Sequence, residues 1–287
     1  MTTTVPIPPV LAVGSAAADG PRPRFRDLYA AEWIRFWSLR SMPWVLGTGL
    51  LVLVAVNLNA ARHTYLNTAP GGPPPGAGRA GTALNVSFTV AAVDLLMLLA
   101  VGVGVAVVAA EYSSGMIRTT FSAVPDRRAV LLAKAGVLAT AMLGLGTLAA
   151  GASFWAAQAL LSGRHAGVSI AEPGALRAVA AAALLAPVCA LVGFGLATLI
   201  RHAAASVVAG VLVLFMLPAS FNENHAWSAA ITHAMPLTSW RRLSWVDLTN
   251  VLLPPHPATV AGSWLAYAGW AVGSVLLAVT VVRRRDV

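Results

Sequence analysis

The sequence predicts an all-α, polytopic membrane protein with six transmembrane helices and an N-terminal amphipathic interfacial helix. Composition is the first reason: of the 287 residues, 58% are hydrophobic and 10% are charged, whereas soluble domains carry about 25% charged residues. The second is that the apolar residues form long runs, and a bilayer core admits only helices or closed barrels. The third is that the alternating strands of about ten residues that build a barrel are not seen.

Six apolar runs reach the roughly 20 residues that a bilayer-spanning helix needs. They are Pro43–Ala61, Leu84–Ala110, Val130–Leu161, Leu176–Ile200, Ala203–Phe221 and Thr259–Val282. The third run is overlong, so we expect its first residues to belong to the polar segment before it. Only Arg201 and His202 separate the fourth and fifth runs, which predicts a tight antiparallel hairpin. Residues 43–287 therefore form the predicted transmembrane domain.

Residues 24–42 predict an amphipathic helix that lies in the membrane interface. Its aromatic and apolar side chains recur at helical spacing, with most charged residues on the other side. The apolar set is Phe25, Leu28, Tyr29, Trp33, Phe36 and Trp37. A helix packed on the cytoplasmic surface of the protein is the alternative. Residues 1–23 are expected to form a disordered cytoplasmic tail.

Basic residues divide unequally between the two predicted sides. Thirteen Lys or Arg residues lie before the first run or after the second, fourth and sixth, and six lie on the opposite side. Because cytoplasmic loops carry the excess of Lys and Arg, both termini are expected in the cytoplasm. The net charge of +9 does not indicate nucleic-acid binding, because the basic residues form small groups at the ends of runs. The Arg- and Ala-rich composition favours a bacterial plasma membrane.

Two polar segments interrupt the runs. Residues 111–130 are polar and basic, and we expect a cytoplasmic surface through which a soluble partner pushes on the membrane part; a solvated loop is the alternative. Residues 222–258 contain Trp227, Trp240 and Trp245 together with several prolines. Tryptophans suit the headgroup region, so this external segment is predicted to form short interfacial or re-entrant helices.

The sequence lacks the common catalytic motifs. The phosphate-binding loop needs Gly, four residues, Gly, Lys and Ser or Thr, but the single lysine, Lys134, is followed by Ala135. The six histidines match no metal-binding spacing, so neither a metal nor a cofactor is expected. Asp94 lies inside the second run, where an acid is costly and functional by default, and it is a candidate translocation-path residue. Fixing helix packing is its alternative role.

Several motifs together resemble the permease subunits of type-2 ABC exporters, as found in actinobacteria. The pattern Glu111, Gly115, Ile117-Arg118-Thr119-Thr120, Pro125, Arg127-Arg128 and Lys134 is similar to the cytoplasmic loop of that family, although Met116 stands where Thr is common. Glu32-Trp33-Ile34-Arg35, followed by Leu39-Arg40-Ser41, resembles the family's amphipathic entry helix. Gly193-Phe194-Gly195-Leu196 through Arg201 resembles its hairpin between the fourth and fifth spans. The likeness covers about residues 24–287.

The resemblance implies a half-transporter that pairs with a second permease, either a copy of itself or a homologue, and docks on separate ATP-binding subunits. It implies that an ATPase-coupling surface comprises Glu111, Gly115, Arg118, Arg127 and Arg128, and that Glu32, Trp33, Arg35 and Trp37 belong to the interfacial helix. The chain itself would not be an enzyme. Two alternatives stay open, a membrane-embedded lipid-modifying enzyme and a secondary transporter; the latter predicts internal repeats and broken helices.

Overall fold

The structure, a computed structural model, describes residues 24–69, 71, 78–114, 127–221, 224–245 and 256–284. Within these ranges the chain is helical and no residue lies in a strand, which confirms the predicted fold class. The helices are α1 (Phe25–Ser38), α2 (Ser41–Asn67), α3 (Arg79–Ser87), α4 (Val90–Ser114), α5 (Arg127–Ser162), α6 (Ala175–Ile200), α7 (Ala203–Ala219), α8 (Ala226–His233), α9 (Pro236–Ser244) and α10 (Val260–Arg284). The predicted tail, residues 1–23, lies outside the described residues.

Five helical segments are long and apolar enough to cross a membrane: Ser41–Asn67, Arg79–Ala110, Arg128–Ser162, Ala175–Ile200 and Val260–Val282. α7 is apolar but shorter, and its middle residues, Leu212–Met216, form a π-helical turn. At about 1.5 Å per residue α7 covers roughly 25 Å, somewhat less than the roughly 30 Å of a hydrocarbon core. These lengths identify a multi-pass membrane protein, with α7 as the shortest of the six predicted spans.

The third span begins with the residues expected at the exit of the polar segment. α5 includes them, because it runs without interruption over 36 residues from Arg127. At about 1.5 Å per residue its length is roughly 54 Å. α5 therefore exceeds a hydrocarbon core by several turns, and its first turns provide the surface against which α1 packs.

The second span is broken near one end. The helical pattern stops at Phe88 and Thr89, and α4 begins at Val90. Thr89 acts as the N-terminal cap of α4, because its hydroxyl accepts a hydrogen bond from the Ala92 N–H at 3.2 Å. The side chain of Asn57 in α2 satisfies the freed backbone, accepting from Thr89 N at 3.0 Å and Thr89 Oγ1 at 2.8 Å. The buried amide thus provides an acceptor for the Thr89 N–H at the break. A bilayer core contains no water that could take this role.

α6 is the central helix of the bundle, and 78% of the residues in its most apolar stretch are buried. Three glycines bring backbones into direct contact around it: a Cβ on Gly104 would lie 2.0 Å from Ala190 O, one on Gly146 2.2 Å from Ala183 O, and one on Gly193 2.4 Å from Val101 O. Small residues at such positions let membrane helices approach closely. Gly104 therefore makes a close helix contact, whereas its neighbour Gly102 does not, because a Cβ there meets nothing within 4 Å.

α8 and α9 form a helical hairpin, and the turn between them contacts the middle of α10. Trp270 Nε1 donates to Ala234 O in the turn at 2.7 Å, whereas Arg242 Nε, near the end of α9, donates to Ala258 O just before α10 begins. The twelve residues between Ala258 and Trp270 span roughly 18 Å along a helix. The predicted segment 222–258 thus contains two short helices that enter and leave the bundle from the same end; its residues 222–223 and 246–255 lie outside the described ranges.

The bundle has two ends, which are named here by the helices found there. The α1 end comprises α1, the last turns of α4 and the first turns of α5, which together line one cleft. The α9 end comprises the last turn of α9 and the first turn of α6, which are joined by a hydrogen bond from Arg177 Nε to Leu243 O at 2.9 Å.

Candidate functional site

The predicted coupling surface lies at the α1 end. Glu111 belongs to the last turn of α4, and Arg127 is the first residue of α5; the structure describes the backbone of both residues but not their side chains. Arg128 follows in the first turn of α5, and its side chain is exposed. Gly115 and Arg118 lie outside the described residues. The segment that carries the predicted contact therefore connects two helices whose ends both belong to the α1 end.

A buried ion pair holds α1 against α5 beside that segment. Lys134 Nζ donates to Glu32 Oε2 at 2.7 Å, and the two side chains are 5% and 11% exposed. Arg35 Nη1 lies 3.7 Å from Glu32 Oε1 and adds a second, partly exposed cation. Charges are buried only when they are paired and hydrogen-bonded. The carboxylate of Glu32 therefore fixes the register of α1 on α5, which places Glu32 and Arg35 on the protein-facing side of α1.

The remaining contacts of α1 extend this attachment along α5. Tyr29 donates from its hydroxyl to Thr140 Oγ1 at 2.9 Å, and Phe36 is buried. Tyr29 stacks on Trp33 with ring centroids 6.2 Å apart. Trp37, however, is 40% exposed and Ile34 is 70% exposed. The predicted aromatic face is thus divided between α5 and the outside, so α1 packs on the protein and also carries exposed apolar side chains.

A cleft of about 310 Å³ opens between α1, α4 and α5. Glu32, Arg35 and Lys134 provide its polar wall, and Val107 and Val137 belong to its apolar wall. The cleft thus has charged side chains on one wall and valines on the other.

Sequence reasoning did not foresee the pairing of Glu32 with Lys134. It assigned Glu32 to the interfacial helix and treated Lys134 as one member of the polar loop pattern. The available signal was that the one lysine of the chain follows an apolar run, while Glu32 stands between apolar neighbours. Two isolated charges of opposite sign in apolar surroundings indicate a pair, but the sequence alone gives no distance between α1 and α5.

Asp94 lies in α4 shortly after the break, partly buried. Its Oδ1 is buried and has no hydrogen-bond partner within the described part of the chain. The charge of Arg241 on α9 acts on Asp94, yet none of the ion pairs among the described residues joins the two side chains. Asp94 and Arg241 thus form no ion pair, and both predicted roles of Asp94 stay open.

A second set of polar side chains is buried where α2 and α3 pack against α5. Asn57 Nδ2 donates to Ser153 Oγ at 3.0 Å, and Gln158 Nε2 donates to Ser87 Oγ at 2.9 Å. Gln158 also accepts from the Val168 N–H at 2.8 Å. These buried side chains are mutually satisfied, as buried polar groups must be. They stabilise the broken second span rather than offering free groups to a ligand.

Within the described ranges, no group of three or more His, Cys, Asp or Glu side chains is placed to hold a metal ion. No protein-family model matches the sequence, and no curated protein matches it. The fold and the apolar spans therefore establish a helical, multi-pass membrane protein, while its family stays a prediction from the sequence motifs.

Proposed function

We propose that the chain is the membrane-spanning permease subunit of an ABC exporter in a bacterial plasma membrane. A separate subunit binds and hydrolyses ATP, and a second permease, either a copy or a homologue, completes the path. The motif order between residues 24 and 287 supports this proposal. The lack of a phosphate-binding loop in the sequence agrees with it, because a permease of this kind takes its energy from ATP hydrolysed by a separate subunit.

The observation that carries the proposal is the attachment of α1 to α5 beside the polar segment 111–130. A transmitter of force needs a rigid connection between the docking surface and the spans, since a loose connection would absorb the motion. The pair of Glu32 and Lys134, at 2.7 Å and largely buried, provides such a connection. α5 then extends the motion into the bundle through its contact with α6, where Gly146 meets Ala183 O.

In the proposed mechanism, ATP closes the partner subunits and moves residues 111–130. α1 follows α5 as one unit because of the buried pair, and the two permeases switch access for the substrate. Among the five long spans, α2 and α10 are the most exposed, because only 22% of the residues in the most apolar stretch of each are buried. Their exposed apolar faces are available for lipid and for the second permease.

A photo-crosslinking amino acid at position 128 tests the proposal. Arg128 is exposed at the α1 end, so the substituted chain, purified from its source membranes with a tag, is expected to form an adduct with a polypeptide that contains a phosphate-binding loop. The matched control replaces Leu66, which is 63% exposed near the other end of α2, and should give no such adduct. Identical adducts at both positions, or an adduct only at position 66, would contradict the proposed docking surface.

A secondary transporter is the second candidate, and one observation favours it. The second span is broken at Phe88 and Thr89, and α7, the fifth span, contains the π-helical turn Leu212–Met216. Irregular helices at corresponding places in two halves are typical of secondary transporters. Transport by the purified chain that follows an ion gradient, without ATP or a partner, would favour this alternative over the permease.

A further inference from the structure

An apolar groove of about 520 Å³ lies between α6, α7, α10 and the turn that joins α8 to α9, and it is called the α10 groove. Ligand-binding cavities usually measure about 300–1,000 Å³ and are mostly apolar, with a few polar groups that fix the orientation of the ligand. The α10 groove has this size, and it shares no lining residue with the cleft at the α1 end. Its walls include Leu196, Val213, Ala234, Gly269, Gly273 and Ser274.

Two glycines of α10 leave the α10 groove open. A Cβ on Gly269 or on Gly273 would meet nothing within 4 Å, and both glycines are exposed. Elsewhere in the bundle a glycine brings two backbones together, as at Gly193, where a Cβ would lie 2.4 Å from Val101 O. Gly269 and Gly273 therefore do not serve packing within the described part of the chain. Small residues alone do not identify a ligand site, since they also lie between associating membrane helices.

A buried hydroxyl in the wall of the groove provides the polar group. Ser274 is 8% exposed, and its side chain makes no hydrogen bond within the part of the chain that the structure describes. The other serine and the threonine of α10 differ, because Ser263 Oγ donates to Thr259 O at 3.0 Å and Thr280 Oγ1 donates to Leu276 O at 2.9 Å. A buried donor without an acceptor is costly, and a bilayer core contains no water to bind it. An acceptor on a bound molecule removes that cost.

Two further features of the walls are typical of a binding site. Trp270 also lines the groove, and its Nε1 donates to Ala234 O at 2.7 Å, which holds the indole against the α8–α9 turn. Val213 belongs to the π-helical turn Leu212–Met216 of α7. Such turns inside α-helices occur frequently at functional sites. One wall is thus fixed by a hydrogen bond, and another is built on an irregular helix.

The depth of Ser274 distinguishes the ligand from the phospholipids of the bilayer. The residues from Val260 to Ser274 cover roughly 21 Å along α10, out of roughly 34 Å for the span Val260–Val282. Ser274 therefore lies within the hydrocarbon core, which is about 30 Å thick. At this depth a phospholipid provides only its acyl chains, which carry no hydrogen-bond acceptor. The molecule that binds Ser274 must be apolar enough to enter the core and must bring an acceptor with it.

We propose that the α10 groove binds an apolar small molecule that carries one hydrogen-bond acceptor, such as a ketone, ester or ether oxygen. The apolar part packs against Leu196 and Val213, and the oxygen accepts a hydrogen bond from Ser274 Oγ. Gly269 and Gly273 keep the entrance from the bilayer free. Such binding requires neither ATP nor a second subunit, so it holds whether or not the chain belongs to an ABC exporter.

Photolabelling with benzophenone tests the proposal on the full chain, purified in a non-ionic detergent. Benzophenone is an apolar ketone that forms covalent adducts with nearby C–H bonds under ultraviolet light. Mass spectrometry of the digested chain locates the adducts, and their saturation with the concentration of the probe gives its Kd. Diphenylmethane has the same two rings without the ketone oxygen, and its Kd follows from competition with benzophenone. Thermal unfolding without a probe establishes that each variant is folded.

Ser274→Ala tests the hydrogen bond. The parent should show saturable labelling of groove residues such as Leu196, and it should bind benzophenone about three- to tenfold more tightly than diphenylmethane, the factor that one hydrogen bond contributes. Ser274→Ala should abolish this preference and leave the Kd of diphenylmethane within about twofold of the parent's. Ser263→Ala is the matched control on the same helix, and it should keep the preference, because the Ser263 hydroxyl already binds Thr259 O.

Gly273→Leu tests the location of the site, because its side chain fills the groove. Labelling by benzophenone should weaken at least about tenfold, whereas Gly47→Leu on α2 should stay within about twofold, since a Cβ on Gly47 also meets nothing within 4 Å. Should Gly273→Leu not fold, Gly269→Val serves the same purpose.

Three results would overturn the proposal. The first is an absence of saturable labelling in the parent, which is also expected if a helix of a second copy closes the groove. The second is labelling spread evenly over exposed leucines such as Leu51 and Leu276, which indicates partition of the probe into the detergent. The third is a preference for the ketone that survives in Ser274→Ala, or a loss in Gly47→Leu as large as that in Gly273→Leu.

Discussion

Replacing Lys134 by methionine should destabilise the protein through the carboxylate that it leaves behind. Lys134 Nζ lies 2.7 Å from Glu32 Oε2, and both side chains are largely buried. Removing one partner of a buried pair typically costs about 3–5 kcal/mol, because the other charge stays buried without compensation. Arg35, 3.7 Å from Glu32, retains part of the compensation, so the lower figure of about 3 kcal/mol is expected.

The measurement is thermal unfolding of the detergent-solubilised chain, followed by tryptophan fluorescence. A domain of this size shifts its Tm by about 2–4 °C per kcal/mol, so Lys134→Met should lower the Tm by roughly 6–12 °C. Glu32→Met together with Lys134→Met removes both charges, and buried pairs replaced by apolar side chains are often neutral or stabilising. The double variant should therefore recover most of the loss.

Arg26→Met is the matched control for this experiment. Arg26 pairs with Asp27 at 3.5 Å, but their side chains are 75% and 57% exposed. Exposed pairs contribute about 0–1 kcal/mol, so Arg26→Met should shift the Tm by no more than about 4 °C. If Lys134→Met behaves like this control, or if the two single substitutions simply add in the double variant, the pair does not hold α1 on α5.

Three further predictions concern the bundle and the coupling segment. Gly104→Ala should lower the Tm, because its Cβ would lie 2.0 Å from Ala190 O. In Gly102→Ala the added Cβ meets nothing within 4 Å, so this control should be neutral or stabilising by up to about 1 kcal/mol. Equal effects of the two substitutions in thermal unfolding would disprove the close contact. Asp94→Asn should change the transport rate of the assembled complex while its Tm stays unchanged, and a lower Tm with normal transport would instead assign Asp94 to packing. Glu111→Ala should leave membrane insertion intact and uncouple ATP hydrolysis from transport, and normal stimulation of hydrolysis by substrate would count against the coupling role.

The positions of the spans could be predicted from the sequence because hydropathy acts locally. Every predicted run overlaps a helix, and the tight connection at Arg201 and His202 separates α6 from α7 as expected. The break at Phe88 and Thr89 could not be predicted in this way, because it depends on Asn57, which lies 32 residues away in the chain. Hydropathy over the whole run, Leu84–Ala110, predicts one continuous helix, even though Asn85, Ser87 and Thr89 are polar.

The composition of the candidate site was harder to predict than its location. The polar segment 111–130 marks one end of the bundle, but the attachment beside it joins residues 102 positions apart, Glu32 and Lys134. The hydrogen bond from Arg177 to the Leu243 carbonyl likewise joins α6 to α9, which are distant in sequence. Helical periodicity predicts which face of a helix is apolar, whereas pairs of charges across helices follow from packing, which the periodicity of one helix does not determine.

The central claim is that energy enters this membrane protein from a separate ATP-hydrolysing subunit. The most direct measurement is ATP hydrolysis by the complex co-isolated with the tagged chain from its source membranes, compared with hydrolysis by the tagged chain purified alone. The account predicts activity in the complex, carried by a co-isolated chain with a phosphate-binding loop, and a reduced coupling to transport when Glu111 is replaced by alanine. Substrate transport by the chain purified alone, in the absence of ATP, would contradict it.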